Sequence, residues 1–297
     1  MLLTFAIFHP KTTTMNNSPR FAFFGTPNFS VKILEILDSH GLTPSLVVTA
    51  PDRQRGRGQK ISSTPVKAWA LKQNIPVITP ETLKDNHEVV ALLKKLQLDI
   101  AIVAAYGLII PPDVLSLPLR GSINVHPSLL PRYRGASPLE SQILADEEMI
   151  GVTIILMDEK MDHGPILSSR RIERPRKVPD ALELEKVLAT VGGELVSETV
   201  VACLEDRIEP IPQNHNDATY TKKITKEDAR IDLNDDPYNN FLKIQAYKRF
   251  RPHFFLHKDG KDLRVVIKTA TYDTKNHTLV IERVIPEGEK EIPFSNL

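Results

Sequence analysis

Short apolar runs alternate with amphipathic stretches over the first two-thirds of the chain. Phe21 to Phe24 is an unbroken apolar run ended by Gly25 and predicts a buried strand. Thr26-Pro27 then opens a helix with Val31, Leu34 and Leu37 at helical spacing. The pattern continues with a strand over Leu46 to Thr49, a helix over Pro65 to Gln73, a short strand over Pro76 to Ile78 and an amphipathic helix over Asp85 to Leu96. Asp99 to Ala104 is apolar enough for a central parallel strand. Gly121 to Val125 and Gly151 to Met157 predict two more strands, with a helix from Ser137 to Ala145 between them. Ile166 to Ile172 predicts a last, antiparallel strand. Asp180 is a good N-cap for a long helix reaching Leu204, in which Gly192-Gly193 predicts a kink. The expected class is α/β, with a Rossmann-like, mostly parallel sheet.

The pattern changes after Leu204. Glu205 to Asn216 holds Pro210, Pro212 and polar residues and predicts a linker. Arg251 to His257, Leu263 to Thr271 and Thr278 to Val284 predict strands joined by turns, hence a small β-rich second domain. The expected organisation is a disordered or upstream lead-in over 1–18, with Met15 as a second candidate start, then a catalytic domain over 19–204, a linker over 205–216 and a β-rich domain over 217–297.

Composition narrows the field modestly. The chain has 297 residues, 41% hydrophobic and 25% charged, and a net charge of +1, which argues against a protein that coats nucleic acid but leaves room for a local basic patch. Cys203 is alone, so no intrachain disulfide forms. No apolar run approaches the ~20 residues of a membrane span. We expect a cytoplasmic monomer with no membrane association.

The candidate chemistry lies in Gly121 to Pro138, GSINVHPSLLPRYRGASP. The strand carries Asn124 and His126 to its C-terminal edge on one face, the edge where open α/β sheets do their work. Prolines and glycine then force a loop. An amide and an imidazole placed there can both aim hydrogen bonds at a carbonyl oxygen becoming an oxyanion. Asp162, in MDEKMDHGPIL, is by default a turn residue; the need of His126 for an anionic neighbour raises its interest. Pro51 to Lys60 sets Arg53, Arg55, Arg57 and Lys60 among glycines; composition alone slightly favours a solvated surface loop, and the place just past the C-terminal end of the second strand shifts the reading to a flexible phosphate-contacting loop. Lys243, Lys248, Arg249 and Arg251 form a second basic cluster, by default a solvated face. There is no Gly-x-Gly-x-x-Gly or Walker loop and no Gly-x-Ser-x-Gly elbow, and the His-x-x-x-His pair, His253 and His257, sits in a strand-like aromatic run rather than on a helix with a carboxylate, so no metal site is expected.

Asn-x-His followed by Ser-Leu-Leu-Pro-x-Tyr-Arg-Gly, with Met-Asp-x-x-x-Asp-x-Gly further on, resembles the folate-dependent formyltransferases, and the basic insertion resembles their tRNA-directed branch. The resemblance implies 10-formyltetrahydrofolate as cosubstrate, no metal, and initiator methionyl-tRNA as acceptor. It implies Asn124, His126 and Asp162 as catalytic residues. It further implies folate contact at Ser128, Leu129, Leu130 and Pro131, with a structural loop as the competing reading of all four, a pterin pocket edged by the stretch after Ala104, and a barrel-like C-terminal domain, for which the segment here is short. It makes Arg57 the matching arginine of an RNA-contacting group with Arg53, Arg55 and Lys60. An amino-sugar nucleotide as acceptor, and a tRNA-binding relic without turnover, are the alternative functions.

Overall fold

The computed structural model describes residues 19–55, 60–175, 178–258 and 260–297. In chain order the first sheet and its cover are β1 (Phe21–Gly25), α1 (Asn28–Ser39), β2 (Leu46–Val48), the hairpin β3 (Arg53–Arg55) and β4 (Lys60–Ser62), α2 (Pro65–Lys72), β5 (Val77–Ile78), α3 (His87–Leu96), β6 (Ile100–Ala104), α4 (Pro112–Leu115), β7 (Ser122–His126), β8 (Arg134–Gly135), α5 (Pro138–Leu144), β9 (Met149–Leu156), β10 (Ile166–Glu173) and α6 (Ala181–Leu204). The second part holds β11 (Tyr220–Thr221), α7 (Pro237–Ala246), β12 (His253–Lys258), β13 (Lys261–Asp273), β14 (Thr278–Pro286) and β15 (Ile292–Pro293).

The main sheet has seven strands in the order β10-β9-β7-β6-β1-β2-β5. Strands β5, β2, β1, β6 and β7 are parallel, and β9 is antiparallel to both β7 and β10. Both faces of β1 are covered, which is why its apolar run is unbroken. Phe21 and Phe23 pack with α1, α2 and α6, while Ala22 and Phe24 pack with α3. Strand order reverses at β1, where such sheets commonly take a nucleotide. Here Ser30 Oγ donates to the Ala104 carbonyl at 2.6 Å and Thr26 Oγ1 to the Tyr106 carbonyl at 2.7 Å, stitching the turn into α1 to the end of β6 across that crevice.

Helix α6 begins in the expected way. The Asp180 carboxylate accepts from the N–H groups of Leu182 and Glu183, and Glu183 returns a bond to the Asp180 N–H, a cap worth about 1 kcal/mol. Its glycine pair does not break the helix, which runs through from Ala181 to Leu204. Instead it lets the backbone approach its neighbours: a Cβ at Gly192 would sit 2.8 Å from Val125 Cγ1, and one at Gly193 would sit 2.7 Å from Ile36 Cδ1. By length and composition α6 is the one described helix that could cross a membrane, a feature the sequence reading passed over. Its apolar side is a core face, with Leu184, Leu188, Val196 and Val200 packed on the sheet.

The second part is a four-stranded antiparallel sheet, β12-β13-β14-β15, around Ile231, Phe254, Val265, Ile267 and Val284. Helix α7, absent from the sequence expectation, packs Ile244 into this core. Its start was legible: Asp236 accepts from the Asn239 N–H and Pro237 takes the first helical position. Asn239 and Asn240 are weak helix formers that masked it. Three of the four cations of the second basic cluster have partners within the chain. Lys243 pairs with Asp235 at 3.2 Å, Lys248 donates to the Lys268 carbonyl at 2.5 Å, and Arg249 pairs with Glu185.

Val125 is the residue between Asn124 and His126, so the Gly192 contact sets how closely α6 backs their strand. Gly192→Leu should lower stability by about 1–3 kcal/mol through overpacking. A denaturant titration checks this, and an unchanged midpoint would show that Val125 gives way freely.

Candidate active site

Strand β7 alternates: Ile123 and Val125 point into the core shared with α6, and Ser122, Asn124 and His126 point to the opposite face. Helix α3 covers the neighbouring part of that face over β1, β2 and β6. At the C-terminal end of β7, Asn124 and His126 meet Asp162, which arrives on the turn between β9 and β10. Asn124 Nδ2 lies 3.4 Å from Asp162 Oδ1, and His126 Nδ1 lies 3.5 Å from the same oxygen. The His126 side chain is 4% exposed and that of Asp162 12%. An amide, an imidazole and a carboxylate are thus gathered at one strand edge, with Asp162 in the left-handed region at φ 50°.

The imidazole is held by a group the sequence did not point out. His126 Nε2 lies 2.9 Å from the main-chain oxygen of Tyr133. A carbonyl only accepts, so Nε2 carries hydrogen and Nδ1, beside Asp162, is the nitrogen left to exchange a proton. The other Asp162 oxygen, Oδ2, accepts from the Gly135 N–H at 2.7 Å. Residues 133 and 135 therefore hold the two reactive side chains through backbone groups, and Arg134 lies between them.

Arg134 is 1% exposed. Its Nε and Nη2 donate to Gln213 Oε1 at 3.1 and 2.6 Å, Nη1 donates to the Tyr220 hydroxyl at 3.0 Å, and Nη2 lies 2.9 Å from His215 Nδ1. Gln213 in turn donates to the Asp162 carbonyl at 2.9 Å and the Gly164 carbonyl at 2.7 Å. One buried pair thus ties the loop that holds His126 to the turn that carries Asp162. The following segment closes the arrangement. Thr219 Oγ1 accepts from the Tyr133 N–H at 2.8 Å, the Thr219 carbonyl accepts from the Arg134 N–H at 2.9 Å, and β11 pairs in parallel with β8. Gly135 has φ 110°, and a Cβ there would lie 2.6 Å from the Thr221 carbonyl, so this close approach requires glycine. Residues 205–216 are fastened too: Ile211 and Ile166 exchange two backbone hydrogen bonds of 2.8 Å. The sequence signal for all this was thin: the second of two arginines in the loop motif, and one glutamine after two prolines.

The loop after His126 lies along β9. Ser128 is fully buried, its hydroxyl donates to the Arg132 carbonyl at 2.8 Å, and its own carbonyl accepts from Thr153 Oγ1 at 2.7 Å. The Ser128 hydroxyl is thus engaged within the loop itself. The Leu130 N–H donates to Thr153 Oγ1 at 3.1 Å, and Leu129 and Pro131 are half-buried. Beyond them the Tyr133 hydroxyl donates to Glu147 at 2.5 Å, and burial, then that carboxylate, push its pKa up to about 12. Among the described residues no group of acidic, histidine and cysteine side chains could hold a metal.

The basic segment is a hairpin at its base rather than a loop throughout. Arg53 to Arg55 pair antiparallel with Lys60 to Ser62. The base is clasped to α2 by Thr49 and Thr64 hydroxyls 2.8 Å apart and by the Asp52–Lys67 ion pair at 2.6 Å. Arg53 is exposed; Arg57 lies outside the described residues. The hairpin leaves the C-terminal end of β2, the same sheet edge at which β7 delivers Asn124 and His126.

A parallel-sheet domain that gathers these three groups at a strand edge has the chemistry suited to transfer at a carbonyl carbon. Residues 19–200 match the family described as Formyl transferase. The chain is 41% identical over 246 residues to the methionyl-tRNA formyltransferase of Caldanaerobacter subterraneus, covering 83% of this chain and 79% of that one. It is 38% identical over 303 residues to the methionyl-tRNA formyltransferase of Roseiflexus castenholzii, covering 94% and 95%. The chain belongs to the formyl transferase family, among the methionyl-tRNA formyltransferases. Two solved structures share the fold: an N-formyltransferase from Helicobacter canadensis in complex with folinic acid and dTDP-3-aminofucose (18% identity, 93% and 98% coverage, TM-score 0.60) and HypX from Aquifex aeolicus in complex with tetrahydrofolic acid (16% identity, 94% and 47% coverage, TM-score 0.64).

The Arg134–Gln213 pair gives a clean test of positioning. Gln213→Glu keeps an acceptor for the guanidinium but removes the donor to the Asp162 and Gly164 carbonyls. We expect thermal stability near that of the parent, with kcat reduced at least tenfold and KM changed little. A loss confined to KM would place Gln213 in substrate binding instead.

Proposed function

We propose that formyl transfer in this enzyme is a single direct displacement at the Asn124–His126–Asp162 cluster, with 10-formyltetrahydrofolate as donor and the α-amino group of initiator methionyl-tRNA as acceptor. The observation that carries this reading is the convergence of Asn124 Nδ2 and His126 Nδ1 on one Asp162 oxygen at 3.4 and 3.5 Å. Contacts of this length commonly tighten only once the reactants are bound.

An α-amino group with an ordinary pKa of about 7.7–8.0 is partly neutral at neutral pH and attacks the formyl carbon without a strong base. The new C–N bond pushes the carbonyl electrons onto oxygen. Asn124 swings its amide N–H from Asp162 to this oxyanion. The attacking nitrogen, now cationic, gives a proton to His126 Nδ1, the nitrogen free to take it. Asp162 Oδ1 lies beside the imidazolium so formed and offsets its charge. His126 then protonates the departing folate nitrogen, the carbonyl reforms and the old C–N bond breaks. The products are the formamide and tetrahydrofolate, with His126 neutral again.

The folate would lie along Leu129, Leu130 and Pro131 and the loop after Ala104, with Ser128 shaping that wall from behind. Arg53, Arg55, Arg57 and Lys60 would meet RNA phosphates, since a basic hairpin on the reacting edge suits a polyanion that must present its end there. In this reading residues 19–204 form the transfer domain, 205–216 the connection and 217–297 a second, RNA-facing domain, and the enzyme works as a cytoplasmic monomer.

Loss of one oxyanion donor commonly costs about 10²–10³ in kcat. Asn124→Ala and His126→Ala should each fall at least that far while unfolding at the parent temperature, and near-parental turnover by either would sink the assignment. Asp162→Asn should lose rate with little change in folate affinity, which a folate titration beside the rate assay resolves. Labelled 10-formyltetrahydrofolate offered with charged initiator tRNA, or with an amino-sugar nucleotide, should label the RNA alone. Label on the sugar would overturn the acceptor.

A further inference from the structure

Three rings are held around Asp162 and the Arg134 guanidinium and take no part in the chemistry above. His163, the next residue, stacks on His215 with ring centroids 4.1 Å apart and planes 9° from parallel. Tyr220 is 68% exposed, and the Arg134 guanidinium carbon lies 5.7 Å from its ring centroid. His215 is exposed as well, whereas the His163 side chain is 27% exposed. Each ring is fixed. His163 Nδ1 is 2.6 Å from Asp158 Oδ2, and buried Arg134 holds His215 Nδ1 at 2.9 Å and the Tyr220 hydroxyl at 3.0 Å.

We infer that this patch, with His215 at its centre, is a stacking platform for the unpaired terminal base of the RNA acceptor. The inference rests on the reading of the acceptor as a charged RNA. In such a substrate the amino acid is esterified to the last ribose, so the last base lies one sugar and one amino-acid residue away from the reacting nitrogen. That nitrogen must reach the cluster at Asp162, and His163 follows Asp162 directly. Splayed bases bind by stacking on aromatic side chains, histidine and tyrosine among them. Rings already locked lose little freedom when a base arrives.

The charge state fits stacking better than a phosphate contact. Arg134 can only donate, so His215 Nδ1 is an acceptor and the ring is neutral. Desolvation, then His163 and Arg134, push its pKa below the ordinary histidine value. A neutral ring releases no counterions, so its loss should leave the salt dependence of RNA binding unchanged.

The test is a cycle between base and ring. The full chain is titrated with an aminoacylated stem-loop RNA that has an unpaired 3′ end, and with the same RNA lacking its terminal base. Removing the base should weaken binding to the parent about tenfold or more, as stacking of this size implies. It should weaken binding to His215→Ala less than threefold. His215→Phe keeps a ring but not the Arg134 contact and should restore the dependence on the base, which separates stacking from any disturbance of Arg134. Equal losses in the parent and in His215→Ala, failure of phenylalanine to restore the dependence, or a salt slope that falls with the alanine variant would overturn the platform. If the parent binds both RNAs equally, the platform alone falls. If it binds neither, the acceptor assignment falls and the platform with it.

Discussion

One buried hydrogen-bonded pair, Arg134 with Gln213, is the constraint on which the geometry of the site depends. The guanidinium is held by a glutamine oxygen, a tyrosine hydroxyl and an imidazole nitrogen, all neutral acceptors. Burying a charge this way is costly unless its donors are satisfied, so the pocket that holds it cannot be loose. The gain is positional. The peptide groups flanking Arg134 grip His126 on one side and Asp162 on the other, and Gln213 grips the turn below Asp162. On the proposed mechanism, a cluster assembled from two distant stretches needs such a frame, because a displacement of about 1 Å at the reacting atoms can cost about a hundredfold in rate.

The sheet explains why the reacting edge lies at β7. In many doubly wound sheets the crevice at the reversal of strand order is the binding site. Here the hydroxyls of Ser30 and Thr26 bind the carbonyls of Ala104 and Tyr106 across it. On the face opposite α6, β7 turns Asn124 and His126 to one side, while Val125 fills the contact with Gly192 behind them. Core packing on one face and chemistry on the other follow from the same two-residue alternation.

Much of this was legible in the residues. The apolar runs located the parallel strands to within one or two positions, Asp180 marked the start of α6, and Asn124, His126 and Asp162 were gathered as expected. What escaped depended on contacts remote in sequence. The Gly192-Gly193 pair read as a weakness in a helix, and only the partners Val125 and Ile36 reveal it as close packing. Ser128 read as a ligand contact or a loop support, and its burial against Arg132 and Thr153 favours support. Tyr133 acts through its backbone, to which side-chain identity gives no clue. Gln213 bonds to residues 49, 51 and 79 positions earlier and sat in a stretch whose prolines read as a tether. Helix α7 was hidden by asparagines that tertiary packing overrides.

The two-residue pairing of β8 with β11 joins the reactive loop to chain that comes after the whole α/β unit. Leu204 closes the layer of helices on the main sheet, yet Gln213, Thr219 and Thr221, which shape residues 131–137, lie beyond it. During synthesis the sheet can therefore be complete while the loop still lacks its frame. The frame of the loop therefore waits on polypeptide made after the sheet, so completing the sheet and ordering the loop are separable events in the life of one molecule.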